Sequence, residues 1–471
     1  MWKGQLQKKG FKKKLYACNP EKEKITVQIT KRKERELQIT PQDNERCFRE
    51  KLAQKISGTL VGIWLLVGEH LRLGTWDLLK GWSESDDKAL EPRIALQMIH
   101  ESALCVNRVR RKNALANQGF ESVSGLSYLV RDEDVHEILS RHTVSEARQM
   151  QIALLQLRNL QGHYQGDILA IDPHRIVTYS KRIMPKKKKH PEDPSKKMLQ
   201  TFFCVDGHTG QPLGFTIGSP GQTATRATIE LMEMVQDINR KDCLFVVDKE
   251  HFTLELLTYS QEKSYKMLVP AILMDQIKSK IKQLDYQRKW AGYALADTTY
   301  AFEKHTEPFR LIAQRTGECC DDYQYKAFIT TAKNSSTKLL TEDYPGRWSV
   351  EEFFNFESAM GIDRAATMNL NIRYGRLSLA LAAQAVVHQF RKKLPAPYNQ
   401  WNAEHTAKSI FSAIDGDIRV KDDAILVTLY NVPENLGLRQ HFENLPEILK
   451  KEGVNPKVPW LYDYKVDFRF K

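Results

Sequence analysis

Cysteine is sparse in this chain, with seven in 471 residues at positions 18, 47, 105, 204, 243, 319 and 320. An odd number at irregular spacing excludes a fully paired disulfide framework, and no Cys-x-x-Cys pair is present to begin a zinc site. The thiols read as reduced and mostly buried. Long apolar runs are missing as well. Ile63-Trp64-Leu65-Leu66-Val67 is far too short to span a bilayer and is followed at once by Gly68-Glu69-His70. No basic, then apolar, then small-residue pattern opens the chain, so the expectation is a cytoplasmic protein with no membrane partner. A clear Ser or Cys nucleophile motif is also lacking, which turns attention away from covalent catalysis.

What is abundant is positive charge. Lys and Arg number 71 against 58 Asp and Glu, a net charge of +13, and such an excess favours a polyanionic partner through counterion release from phosphates. The length is too great for one core, and roughly two to four domains are expected. Residues 1–44 form a basic segment with Lys12-Lys13-Lys14 and Lys31-Arg32-Lys33, either a solvated face or an arm on DNA. Residues 45–160 carry helical periodicity, broken at Gly119 and Gly125 as a helix-turn-helix requires. Arg108, Arg111 and Lys112 put several cations on one helix there, so this domain is the candidate DNA binder, although a helical bundle that binds nothing has the same pattern.

The period changes near 167. Ile168-Leu169-Ala170-Ile171-Asp172 is a short apolar run closing on an acid, and Leu244-Phe245-Val246-Val247-Asp248 is another. Between them Thr201–Val205 and Leu213–Ile217 flank Asp206-Gly207-His208-Thr209-Gly210, a hairpin, and Ala224–Arg240 forms an amphipathic helix. Asp206 reads as a turn residue. A crossover helix makes the last strand parallel to one already in the sheet. If it lies beside the first, Asp172 and Asp248 emerge together at adjacent carboxyl ends, where α/β sheets build their sites. Two carboxylates so close repel and call for divalent cations between them. The layout is that of a ribonuclease H-like nucleotidyl-transfer core. The loop run Lys186–Lys189 is either solvated or tracks a DNA backbone. His174 and His251 are neighbours of the acids rather than ligands, because oxygen suits Mg²⁺ and histidine does not.

Residues 249–343 read as a β-rich insertion, where Trp290 and Tyr323 are core aromatics or stack on a flipped base. Pro345 and Gly346 then suit a helix start. Arg347 and Glu351, four apart, share one helix face. From Glu351, Glu352 is rotated by about 100° and Glu357 by about 240°. Glu351 is therefore the third candidate acid, with Trp348 expected to pack the helix onto the sheet.

Tyr344-(two)-Arg347-(three)-Glu351 resembles the tyrosine-arginine-glutamate part of the signature of the insertion-sequence-four family of DDE transposases. Asp248-Lys249-Glu250 is similar to the family's Asp-Arg-Glu, and Asp172 stands in the place of its first aspartate. The likeness spans about 160–393, with the tail near Trp460–Lys465 also typical. It implies two Mg²⁺ (or Mn²⁺) ions held by Asp172, Asp248 and Glu351, in-line phosphodiester hydrolysis, and attack of the freed 3′ hydroxyl on a second phosphodiester. Tyr344 and Arg347 would hold a terminal phosphate. The family's lysine is replaced by Ser358, whose hydroxyl brings no charge. The expected architecture is α/β: a helical N-terminal domain, a ribonuclease H-like catalytic core over 161–393 with its insertion, and an α+β region over 394–471. Expected partners are double-stranded DNA (terminal inverted repeats and target) and a second copy in the DNA complex, with Met368–Lys392 or Asp417–Tyr430 as the place for dimerisation. The protein would act at the nucleoid. Two other outcomes stand beside this: a transposase-derived DNA-binding protein without catalysis, and a metal-dependent nuclease that cuts without joining.

Overall fold

The computed structural model describes residues 39–106, 115, 119–179, 181, 186–187, 192, 194–218, 223–238, 240, 242–303, 305, 307–362 and 367–471. Arg108, Arg111, Lys112, Lys188, Lys189 and the basic stretch 1–38 lie outside the described residues.

The chain enters through α1 (Pro41–Ala53), where Thr40 accepts the Asp43 amide and Pro41 occupies the first turn. After β1 (Ile56–Gly58) come α2 (Leu66–Leu73), α3 (Thr75–Ser83), α4 (Glu91–Ala103), α5 (Asp132–Arg141) and α6 (Val144–Leu160). Thr143 and Glu146 form a reciprocal capping box at the start of α6. Gly119 and Gly125 do break the chain, each with positive φ. Gly125 has a second reason to be glycine. A Cβ there would stand 1.9 Å from the Trp460 carbonyl oxygen, which also accepts Arg93 Nε at 3.1 Å.

The sheet follows: β2 (Ile168–Val177), β3 (Lys186–Lys187), β4 (Lys196–Asp206), β5 (Pro212–Gly218), then α7 (Ala224–Gln236) and β6 (Leu244–Val247). Next are α8 (Leu254–Glu262), β7 (Lys266–Pro270), α9 (Asp275–Lys282), β8 (Gln287–Trp290), β9 (Tyr293–Tyr300), β10 (Phe309–Thr316) and β11 (Gln324–Thr330). Strand order is β3-β4-β2-β6-β7-β11-β10-β9-β8, with β5 also on β4. β2, β4 and β5 form an antiparallel meander, and β6 and β7 run parallel to β2. Residues 249–343 thus extend the same sheet rather than build a second one. β7 is apolar through its middle, with Met267, Leu268 and Val269 fully buried. It is covered on its outer edge by β11. Lys186 and Lys187, expected in a loop, pair with β4.

The chain then passes through α10 (Ser349–Glu357) and α11 (Leu370–Arg391) to β12 (Gly416–Lys421), β13 (Ala424–Leu429) and β14 (Lys465–Phe470). β1 joins these as a four-stranded sheet, with Ile56 opposite Ile418, so the first and last parts of the chain share one apolar core. α11 is buried along nearly its whole length and packs on α2, α4, α5 and α6. From Ile372 to Arg391 the Met368–Lys392 stretch is therefore largely interior and offers little surface for the expected dimer contact. Among the described residues no helix is long and apolar enough to cross a membrane. The described cysteines are free, but Cys47, Cys319 and Cys320 are exposed, against the expectation of burial.

Candidate active site

Parallel pairing of β2 with β6 runs from Ile168↔Leu244 to Ile171↔Val247. Asp172 and Asp248 follow immediately, side by side where that pairing stops. Asp248 leaves the strand in extended conformation and opens a 3₁₀ turn over Lys249–His251, its carbonyl accepting the His251 amide at 3.0 Å. Asp172 does not end its strand as expected. β2 continues to Val177 because β4 is long enough to keep pairing with it after β6 has ended.

The Asp172 side chain is 17% exposed. Burial pushes its carboxyl up to about 7. Arg347 opposes the shift, while the charges of Asp248 and Glu250 add to it and Arg175 counters.

Glu351 is delivered by a two-part helix. A 3₁₀ turn over Tyr344–Trp348 leads into α10. Gly346 presses against the strand: a Cβ there would stand 3.2 Å from Ile168 Cγ2. Val350, Phe353 and Glu357, spaced i, i+3, i+7, form the buried stripe of α10. Phe353 meets Phe203 at 5.6 Å, and Phe354 lies 4.2 Å from the His174 ring. Docked this way, the flank of the helix beside that stripe carries Arg347 and Glu351 toward the strand acids. Arg347 Nη1 lies 3.6 Å from Asp172 Oδ2 and 3.8 Å from Glu351 Oε1. Tyr344 packs edge-on against Phe328 at 5.1 Å. Burial raises the pKa of its hydroxyl, Arg347 pulls it down, and Asp248 and Asp172 push it up. Asp172, Asp248, Tyr344, Arg347 and Glu351 therefore form one neighbourhood.

Other expectations fare differently. Trp348 does not pack onto the sheet: it is 56% exposed, with the Arg347 guanidinium 5.2 Å above its ring. Trp290 is not core either. It lies on the exposed edge strand β8, stacked flat on Tyr293 at 4.3 Å. The Arg315 guanidinium sits 4.2 Å over Tyr323. His251 is buried, with Nδ1 2.7 Å from Thr228 Oγ1. Ser358 begins the 3₁₀ turn that ends α10.

Two acids have larger parts than their sequence context suggested. Asp206 is fully buried and accepts the amides of Gln165, Gly166, His208 and Thr209 and one Arg240 nitrogen. Its burial raises the carboxyl pKa, but those donors outweigh it and leave the group below its ordinary range. Glu357 is ion-paired with Arg391 in the core. Beside it Gln384 bonds Gln211 at 3.0 Å, and Arg158 reaches both Gln384 and Gln211 at 2.8 Å. The signal for Glu357 was its place in the Val350-Phe353 stripe.

Among the described residues no group of three or more His, Cys, Asp or Glu side chains is gathered closely enough to hold a metal ion. In kind, however, the donor set fits a hard divalent cation: three carboxylates, one of them buried with its charge poorly balanced. Arg347 supplies the positive charge between Asp172 and Glu351.

Residues 163–384 match the family model of the transposase DDE domain. That stretch is similar to a transposase DDE domain. It begins just before β2, ends within α11, and contains every residue of the neighbourhood above. No curated protein matches the sequence. Among solved structures, the chain is similar to a piggyBac transposase synaptic complex with hairpin DNA, seen by cryo-EM. The identity is 9% and the TM-score 0.39, over 85% of this chain and 87% of that one.

Proposed function

We propose that this chain is a DDE-type DNA transposase of the insertion-sequence-four kind, with Asp172, Asp248 and Glu351 as its catalytic carboxylates on a ribonuclease H-like core. One observation carries the reading. Two acids from adjacent parallel strands share a neighbourhood with an acid from a helix docked on them, with Arg347 between Asp172 and Glu351, inside the stretch similar to the transposase DDE domain. The strand order β5-β4-β2-β6-β7, antiparallel then parallel, supports the ribonuclease H-like assignment.

Asp172, Asp248 and Glu351 would hold two Mg²⁺ or Mn²⁺ ions, which when bound activate water and stabilise the leaving 3′ oxygen. Asp172 must lose its proton to take part, and a carboxyl near 7 does so within the physiological range. Arg347 now balances Asp172 and Glu351. Relieved of that task, its guanidinium can grip a DNA phosphate through two parallel bonds, next to the Tyr344 hydroxyl. Substrates are the transposon terminal inverted repeats and target DNA, and a homodimer pairs the two ends at the nucleoid. Arg108, Arg111 and Lys112 would add phosphate contacts.

The test uses the full chain, a plasmid carrying the element's two ends, and Mg²⁺ or Mn²⁺. Cleavage at the ends followed by strand transfer is expected. Asp172→Ala, Asp248→Ala and Glu351→Ala should each abolish cleavage and keep end binding. Full cleavage by Glu351→Ala would remove it from the site. Binding without cleavage by the unaltered protein would favour the non-catalytic DNA-binding reading.

A further inference from the structure

Backbone pairing between β2 and β6 ends at Ile171↔Val247, one position before the two aspartates. No register pair of that ladder joins Asp172 to Asp248 themselves, and their like charges oppose each other. β6 turns away into the 3₁₀ turn at Lys249–His251, and β2 continues along β4. Across the gap that opens, Arg175, three residues beyond Asp172, is ion-paired with Glu250, two residues beyond Asp248. Both side chains are about three-quarters shielded, 25% and 23% exposed. The turn is held from its other side as well. His251 meets Thr228 of α7 at 2.7 Å, and Thr253 meets Thr225 at 2.8 Å.

We propose that Arg175 and Glu250 are positioning residues: their ion pair is a clasp that sets the Asp172–Asp248 separation for a pair of divalent cations. This rests on the proposed function, because it takes those aspartates as the metal-holding pair. The clasp replaces the missing rung of the β2–β6 ladder with a side-chain rung, in a place where a backbone rung would prevent β6 from turning. Partial shielding strengthens the pair relative to a surface salt bridge without the full cost of burying it.

The clasp and plain electrostatics make opposite forecasts. By charge alone, Glu250→Gln removes a negative charge near the site and weakens cation binding, whereas Arg175→Gln removes a positive charge and strengthens it. A clasp requires both to weaken it. Mn²⁺ binding to the full chain without DNA, followed by the electron paramagnetic resonance signal of free Mn²⁺, separates the two. We expect five- to tenfold weaker binding for each single variant and recovery to within twofold in the exchanged pair Arg175→Glu/Glu250→Arg. Unchanged melting temperatures would accompany this, as would an equal displacement of the Mn²⁺ midpoint for cleavage. Tighter binding by Arg175→Gln, or no recovery in a folded exchanged pair, overturns the clasp. Asp172→Asn is the reference: if it binds Mn²⁺ like the unaltered protein, the site assignment itself fails. If Asp172→Asn loses binding while both single variants keep it, only the clasp fails.

Discussion

Arg347 Nη1 stands 3.6 Å from Asp172 Oδ2, so the residue proposed to grip DNA is also the counter-charge of a proposed catalytic acid. Burial drives the Asp172 carboxyl toward its neutral form, and the guanidinium resists. The helix face that brings Glu351 to the strands brings Arg347 too, which would couple charge balance at the acids to occupancy of the proposed phosphate site.

Removing that guanidinium should therefore alter the pH profile. In Arg347→Gln the Asp172 carboxyl loses its main stabilising charge and rises beyond about 7. The acid limb of cleavage, measured at sub-saturating Mn²⁺, should move up by about one pH unit. Cation and proton compete for the same oxygens, so saturating Mn²⁺ should pull the limb back down. An unchanged limb would show that Arg347 does not govern Asp172.

Asp172 should also cost the metal-free protein stability. A carboxyl raised in the folded state favours folding below its unfolded value near 3.8, and that contribution disappears as pH rises through about 7. Metal-free Asp172→Asn should then be more stable than the unaltered protein at pH 8, by on the order of 1–3 kcal/mol. The two should converge near pH 4. Urea denaturation at both pH values checks this, and equal stability at pH 8 would contradict it.

Much of the site was legible because it depends on local periods. The apolar runs ending at Ile171 and Val247, with a helix between hairpin and second strand, specify parallel strands once the crossover rule is applied, and the structure adds that they are neighbours. Helix phase singles out Glu351 over Glu352 and Glu357. What was not legible depends on distant partners. Trp348 reads as a packing residue until Phe353 and Phe354 are seen to take that contact with Phe203 and His174. Met368–Lys392 reads as an available helix until four helices from the first third of the chain surround it. The continuation of β2 to Val177 is set by the length of β4, a strand that begins only at Lys196.

The two acids at Glu351 and Glu357 should separate by what their loss does to folding. Glu351 is 44% exposed and faces the site, whereas the Glu357 side chain is 4% exposed and paired with Arg391. Glu357→Gln leaves the Arg391 cation buried without its counter-charge and should destabilise by roughly 3–5 kcal/mol, as breaking a buried pair does. Glu351→Gln should change stability by less than about 0.5 kcal/mol, as exposed substitutions do, while abolishing cleavage. The double variant Glu357→Gln/Arg391→Met should recover part of the loss, because Arg391 no longer stands as an unpaired buried charge, whereas the buried Arg158 still lacks the Glu357 charge. Thermal and urea unfolding of the three variants provides the comparison. Equal stability of Glu351→Gln and Glu357→Gln would mean that the buried pair does not anchor α10.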